Sequence, residues 1–188
     1  MFDQCISTVL GQVKLLRRIA NEFSTFAAVP VPRLGRVPVA ALLESVVAPY
    51  RAGLAAHTRI VIDVAAGTPD ARADATLLAR AITNLVENAL QAMPAGGVVR
   101  LSAAPEDGDQ VLIMCEDNGV GMSATAVSQA FEPHFSTKTG GSGLGLANAR
   151  RNVISCGGTI TIESAQGRGT IVRVSLPAAG PTDAPASA

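Results

Sequence analysis

Two pairs of alternating apolar runs, each closed by a polar turn containing glycine, restrict what this chain can fold into more than any other feature. Val98 to Ala103 and Gln110 to Cys115 alternate around Glu106-Asp107-Gly108-Asp109, and Thr159 to Glu163 and Thr170 to Leu176 flank Gln166-Gly167-Arg168-Gly169. Alternation at period two marks a strand with one buried face, and a short glycine-bearing turn joins two such strands into a hairpin. A helical pattern precedes each hairpin. The first runs from Asp74, placed to cap it, to about Met93, where Pro94, Gly96 and Gly97 stop it; the second spans Leu144 to Ile154. Val39 to Leu54 reads as a further amphipathic helix, and Arg59 to Val64 as a strand with Ile60, Ile62 and Val64 on one face. Hairpins give a largely antiparallel sheet, and the helices bury their apolar stripes by stacking on one of its faces. The expected class is α+β, a two-layer α/β sandwich. The tail after Pro177, made mainly of Ala, Pro, Gly and Ser, is expected to be disordered.

Ahead of this domain, Ile6, Val9, Val13, Leu16, Ala20, Phe23 and Ala27 follow each other at alternating steps of three and four residues. That heptad pattern predicts a helix packed in a bundle or dimer, ended by Pro30 and Pro32. The expected division is a helix over 1–29, a linker over 30–37, a domain over 38–177 and a tail over 178–188. The whole is 188 residues, with 48% hydrophobic and 16% charged side chains, enough apolar material for a core. Fifteen basic residues balance fifteen acidic ones, which argues against a nucleic-acid partner held by bulk charge. No run nears the roughly 18 apolar residues of a membrane span, so this segment is expected not to insert in a membrane. Cys5, Cys115 and Cys156 have no metal-binding or disulfide spacing, and a cytoplasmic location is expected.

Four segments carry chemistry. On the helix from Asp74, Ile82, Leu85 and Ala89 share a face that should meet the sheet, while Asn84, Asn88 and Gln91 share another. Two carboxamide oxygens one turn apart suit a hard cation such as Mg²⁺, which takes oxygen ligands. Asp117, at a strand end, is followed by Asn118, Gly119, Val120 and Gly121; it could accept from an exocyclic amine such as the adenine N6 while the glycine backbone lies close to a flat ligand. Phe131 to Lys138 concentrates two of five phenylalanines and one of only two lysines, as a lid over phosphates would. Gly140-Gly141-Ser142-Gly143-Leu144-Gly145-Leu146 opens a helix, where unpaired amides and the helix dipole favour anions. Taken singly, these segments also fit solvated asparagines, an Asx turn and a surface loop pinned by phenylalanines.

Taken in order, they resemble the GHKL ATP-binding superfamily, the Bergerat fold, and within it the catalytic domain of sensor histidine kinases. The resemblance covers about Asp74 to Pro177; the helix ending in Glu22-Phe23-Ser24-Thr25-Phe26-Ala27 is similar to the second helix of the dimerisation domain in the nitrogen-regulatory subgroup. It implies ATP and Mg²⁺ as cofactors, with Asn88 as metal ligand and Asn84 helping to hold the nucleotide. Asp117 would read the adenine amine, Gly119 and Gly121 would lie against the base, and Thr170 would support it. Gly141, Gly143, Leu144, Gly145 and Leu146 would offer amides to phosphate, and Lys138 would approach the γ-phosphate. The implied activity is ATP-dependent protein histidine kinase, feeding a response regulator receiver domain, with homodimerisation through the N-terminal helix.

Two departures from the family pattern matter. Hydrolytic members carry a water-activating glutamate one turn before the metal asparagine, and here that place is Asn84, whose amide cannot take a proton. Glu87 lies about 100° away around the helix and is assigned to solvent or a supporting contact. The second departure is the phosphoacceptor: neither His57 nor His134 has its context, so the chain is expected to bind ATP without phosphorylating itself, as a kinase truncated at its N-terminal side. The alternatives are a stand-alone serine kinase of the anti-sigma-factor type and a non-catalytic, nucleotide-dependent regulatory binding module.

Overall fold

The computed structural model describes residues 31–55, 57–138 and 142–184. The heptad helix over 1–29 and Gly141 lie outside the described residues. Among the described residues seven strands and four helices follow in the order β1 (Gly35–Val37), α1 (Val39–Arg51), β2 (Thr58–Val64), β3 (Ala71–Ala73), α2 (Ala75–Gln91), β4 (Gly97–Glu106), β5 (Gln110–Asp117), α3 (Ala124–Gln129), α4 (Gly145–Ser155), β6 (Thr159–Ala165) and β7 (Gly169–Pro177). Five strands form one sheet in the order β2-β4-β5-β7-β6, antiparallel except for the parallel pair β2–β4, and β1 pairs with β3 separately. The expected two-layer sandwich is the architecture found.

Alternation does what it predicts. Val99, Leu101, Val111, Ile113, Val174 and Leu176 are buried and meet Leu78, Ile82, Leu85 and Val86 of α2, Leu43 and Val47 of α1 and Val153 of α4 in one core. Of the intervening positions, Arg100, Glu116 and Glu163 are exposed, while Ser102, Leu112, Met114 and Arg173 are half-buried. Asp74 caps α2 as expected, its carboxylate accepting from the Leu77 amide at 3.0 Å; it also accepts from the Arg33 amide at 2.9 Å. One carboxylate thus ties the incoming segment to the helix that carries the asparagines.

Three features depart from the sequence expectation. Within the linker expected over 30–37, Gly35–Val37 forms β1. The segment expected to be disordered after Pro177 is tied down as far as Ala184. Its Ala178 bridges Ala71, the Ala179 amide donates to the Asp70 carbonyl at 2.8 Å, and Ala184 O accepts from the Arg36 amide at 2.7 Å. Composition forecasts little apolar burial here, yet neighbouring backbone captures the segment through its own hydrogen bonds. The third departure is α3, a short helix capped by Ser123, whose hydroxyl accepts from Ala126 at 3.2 Å.

One part of the core is polar. Asn148 and Asn152, one turn apart on α4, are 4% and 2% exposed, and Oδ1 of the first and Nδ2 of the second have no hydrogen-bond partner. An unmatched buried polar group costs about 1–3 kcal/mol, and about 1 kcal/mol moves the midpoint of a domain this size by roughly 2–4 °C. Asn152→Leu should therefore raise the thermal midpoint, followed by circular dichroism, by about 2–12 °C. A lower midpoint would mean that the amide makes a favourable contact.

Candidate functional site

The residues singled out by sequence converge on one cavity of about 290 Å³ between α2, the ends of β5 and β7, and the loops that precede α3 and α4. That lies near the lower end of the roughly 300–1,000 Å³ of small-molecule sites. Asn84, Asn88, Asp117, Gly121, Lys138, Gly143, Gly145, Leu146 and Thr170 all line it. Gly119 and Leu144 are not among its lining residues, and the Leu144 amide donates to Ser142 Oγ at 3.3 Å.

Each wall follows from local structure. The strand register places Asp117 opposite Thr170, so a carboxylate and a hydroxyl stand side by side at one end of the sheet. Asp117 is 8% exposed, and its Oδ1 accepts from the Gly119 amide at 2.9 Å. Burial pushes its carboxyl above the usual range, against the pull of the Gly119 and Thr170 amides and the charge of Lys138. Around it the wall is apolar: Leu85, Ala89, Cys115, Met122, Ile162 and Val172. Burial, helped by Asp117, holds the Cys115 thiol up at about 12, so it is part of that apolar wall. Gly121 has φ +62°, and a Cβ there would run into the Ala165 carbonyl, so the backbone passes where no side chain fits.

The opposite end is polar. A Cβ on Gly145 would stand 3.3 Å from Asn88 Nδ2, 3.9 Å from Asn88 Oδ1 and 4.0 Å from Asn84 Oδ1; both carboxamides therefore face the start of α4, and a methyl there would press on Asn88. Among the described residues no side chain caps the start of α4, whose first amides have no partner within the helix and lie beside those carboxamides. Lys138 Nζ donates to Gln91 Oε1 at 3.0 Å and Asn88 Oδ1 at 3.3 Å. A cation thus already rests on the expected metal ligand, so a carboxamide oxygen and a positive charge fit together there. Among the described residues no group of three His, Cys, Asp or Glu could hold a metal. A Mg²⁺ here would be held by carboxamide oxygen, water and phosphate, which suits its reluctance to dehydrate. Burial lowers the Lys138 pKa, partly offset by Asp117.

Glu87 is exposed and accepts from Tyr50 Oη at 3.1 Å, which gives it the supporting contact assigned to it. The hydroxyl of Tyr50 is raised to about 12 by burial and by that carboxylate. His57 and His134 are both exposed, and His134 takes a left-handed φ of +64° while its amide donates to the Gly143 carbonyl at 3.0 Å. Sequence reasoning overlooked Ser164. Its hydroxyl accepts from the Met122 amide at 2.9 Å, donates to the Gly169 carbonyl at 2.8 Å and lies 3.0 Å from Thr170 Oγ1. The β6–β7 turn was legible, and the register it sets places Ser164 opposite Thr170. That pairing was the available signal.

Among the described residues no helix is long and apolar enough to cross a membrane. The family model for the histidine kinase-, DNA gyrase B- and HSP90-like ATPases matches residues 73–180. The nitrogen regulation protein NtrY of Azorhizobium caulinodans is 34% identical over 198 residues, covering 100% of this chain and 25% of that protein. The sensory histidine kinase/phosphatase NtrB of Rhodobacter capsulatus is 30% identical over 183 residues, covering 91% of this chain and 51% of that protein. The chain therefore spans a quarter to a half of these relatives. A solved structure of full-length ShkA in complex with AMPPNP superposes with a TM-score of 0.79 at 26% identity, over 95% of this chain and 39% of that one. With an acidic strand end, an asparagine pair and a glycine-led helix gathered on one cavity, the chain belongs to the histidine kinase-, DNA gyrase B- and HSP90-like ATPase family.

Proposed function

We propose that the cavity binds Mg²⁺·ATP and that the domain is the ATP-binding catalytic part of a two-component histidine kinase. The observation that carries this is the pairing of Asn88 with Asn84: two carboxamides face the start of α4, and no carboxylate stands one turn before the metal asparagine. Asp117 takes the adenine amine. The backbone at Gly119 and Gly121 lies along the base, with Thr170 beside it. The amides at Gly143, Gly145 and Leu146 face the phosphates, and Asn88 and Asn84 hold the metal end of the nucleotide. When bound, Mg²⁺ neutralises charge on the phosphates. Lys138 leaves Asn88 to meet the γ-phosphate.

The chain's contribution is position and charge. An imidazole nitrogen attacks the γ-phosphorus in line, the bond to the β–γ bridging oxygen breaks, and ADP leaves. Water is a poor competitor, because the Asn84 amide cannot remove its proton. The NtrY and NtrB likeness supports a histidine acceptor and onward transfer to an aspartate on a response regulator receiver domain. In this reading residues 1–29 supply one helix of a homodimeric bundle, residues 30–34 the linker ahead of β1, and the domain works in the cytoplasm, where ATP is available.

The test mixes the chain with γ-labelled ATP, Mg²⁺ and a separately made histidine-bearing dimerisation domain. Label should appear on the added domain, stable to base and lost in acid, with phosphate release at least about tenfold slower. Acid-stable label would move the assignment to a serine kinase. Phosphate release alone would make it a hydrolase.

A further inference from the structure

The hydroxyls beside Asp117 have their protons fixed by the surrounding backbone. Ser164 has one proton, and the Gly169 carbonyl, 2.8 Å away, can only accept, so that proton is committed. The 3.0 Å contact between Ser164 Oγ and Thr170 Oγ1 must then carry the Thr170 proton toward Ser164. The Met122 amide, at 2.9 Å, fills the other lone pair of Ser164. Ser164 is saturated, and Thr170 has no proton left for a ligand. At the cavity wall Thr170 Oγ1 can only accept, and it stands opposite Asp117, a carboxylate that also only accepts when ionised.

From this geometry we infer that Ser164 is a positioning residue for base discrimination: by holding the Thr170 hydroxyl as an acceptor beside Asp117, it makes the site select a purine bearing an exocyclic amine and reject one bearing a carbonyl at the same ring position. The assignment rests on the nucleotide reading above. It adds how the selection is set. A 6-amino purine offers two N–H donors to two acceptors. A 6-oxo purine would bring a carbonyl oxygen against both, and a site whose buried polar groups are left unpaired rejects such a ligand strongly. Without Ser164 the Thr170 hydroxyl can rotate and donate, so the rejection should weaken.

The experiment measures affinities of the whole chain for ADP and for inosine 5′-diphosphate, which carries a carbonyl at that ring position and a proton on the adjacent N1, by calorimetry with Mg²⁺. In Ser164→Ala the ratio of the two affinities should narrow by about 10-fold, in Thr170→Val by a similar factor, and in the double variant by no more than in Thr170→Val. Ser164→Thr, which keeps a hydroxyl, should restore the ratio. A purely structural role for Ser164 would lower both affinities together and leave the ratio unchanged, and that result overturns the inference while leaving the nucleotide site intact. A wild-type chain that binds neither nucleotide would overturn the site itself and this assignment with it.

Discussion

Asp117→Asn should weaken nucleotide binding by at least about 100-fold while leaving the fold as stable as before, or more so. The asparagine would turn an NH₂ toward a ligand amine, replacing an acceptor by a donor. A lost hydrogen bond to a charged group and an unmatched buried donor together come to about 2.5–6 kcal/mol, with each 1.4 kcal/mol a factor of ten in affinity. Stability moves the other way. Burial holds the Asp117 carboxyl above its usual range, so the folded state disfavours the carboxylate relative to water. A neutral amide removes that penalty and can still accept from the Gly119 amide. The pH dependence has the same sign, because the protonated carboxyl is a donor. Affinity for ADP should fall on acidification, beginning above the pH where an ordinary carboxylate protonates. Calorimetric titration with ADP and a urea unfolding curve on the same preparation settle both. Unchanged affinity would remove Asp117 from the site, and binding lost together with the fold would make its role structural.

How far these elements can be read from sequence depends on the range of the forces that build them. The α2 helix was legible because its cap, its apolar stripe and its stop signals all lie within one segment; only the end differs, Gln91 rather than Met93. The two hairpins were legible for the same reason. The β1–β3 pair was not. Each strand has three residues, too few to show a period, and Arg36 meets Arg72 only because the intervening chain brings the two strands together. The parallel β2–β4 pairing is likewise set by packing at a distance rather than by any turn. In the site, residue type and spacing pointed to Asn84, Asn88, Asp117 and Lys138, since chemistry at those positions needs particular side chains. Ser164 looked like any strand serine; its role appears only when its donors and acceptors are counted in place. Leu144 was expected to turn its amide toward phosphate, but the hydroxyl of Ser142 takes that amide, a local competition that motif spacing does not encode.

The turn beside Thr170 separates two effects that a glycine substitution usually mixes. Gly108 and Gly169 have nearly the same backbone, φ +79° and +83°, so alanine bears the same left-handed penalty at each. That penalty is about 1–2 kcal/mol. Their surroundings differ completely. A Cβ on Gly108 meets nothing within 4 Å, whereas one on Gly169 collides with the Asp117 carbonyl oxygen and stands 2.9 Å from the Asn118 Cα. Those are backbone atoms of the neighbouring strand end, and they cannot rotate aside. Gly169→Ala should therefore cost more than about 3 kcal/mol and lower the thermal midpoint by about 10 °C, against roughly 2–5 °C for Gly108→Ala. The collision also falls on the site, since the backbone it displaces carries Asp117 and the Gly169 carbonyl fixes the Ser164 proton. Gly169→Ala should thus lose ADP affinity at temperatures where it is still folded, while Gly108→Ala binds as the wild type does. Equal midpoints for the two variants would mean that the β5–β7 strand ends yield to a methyl group, and then the close approach of Gly169 to Asp117 could not be what holds the acceptors in place.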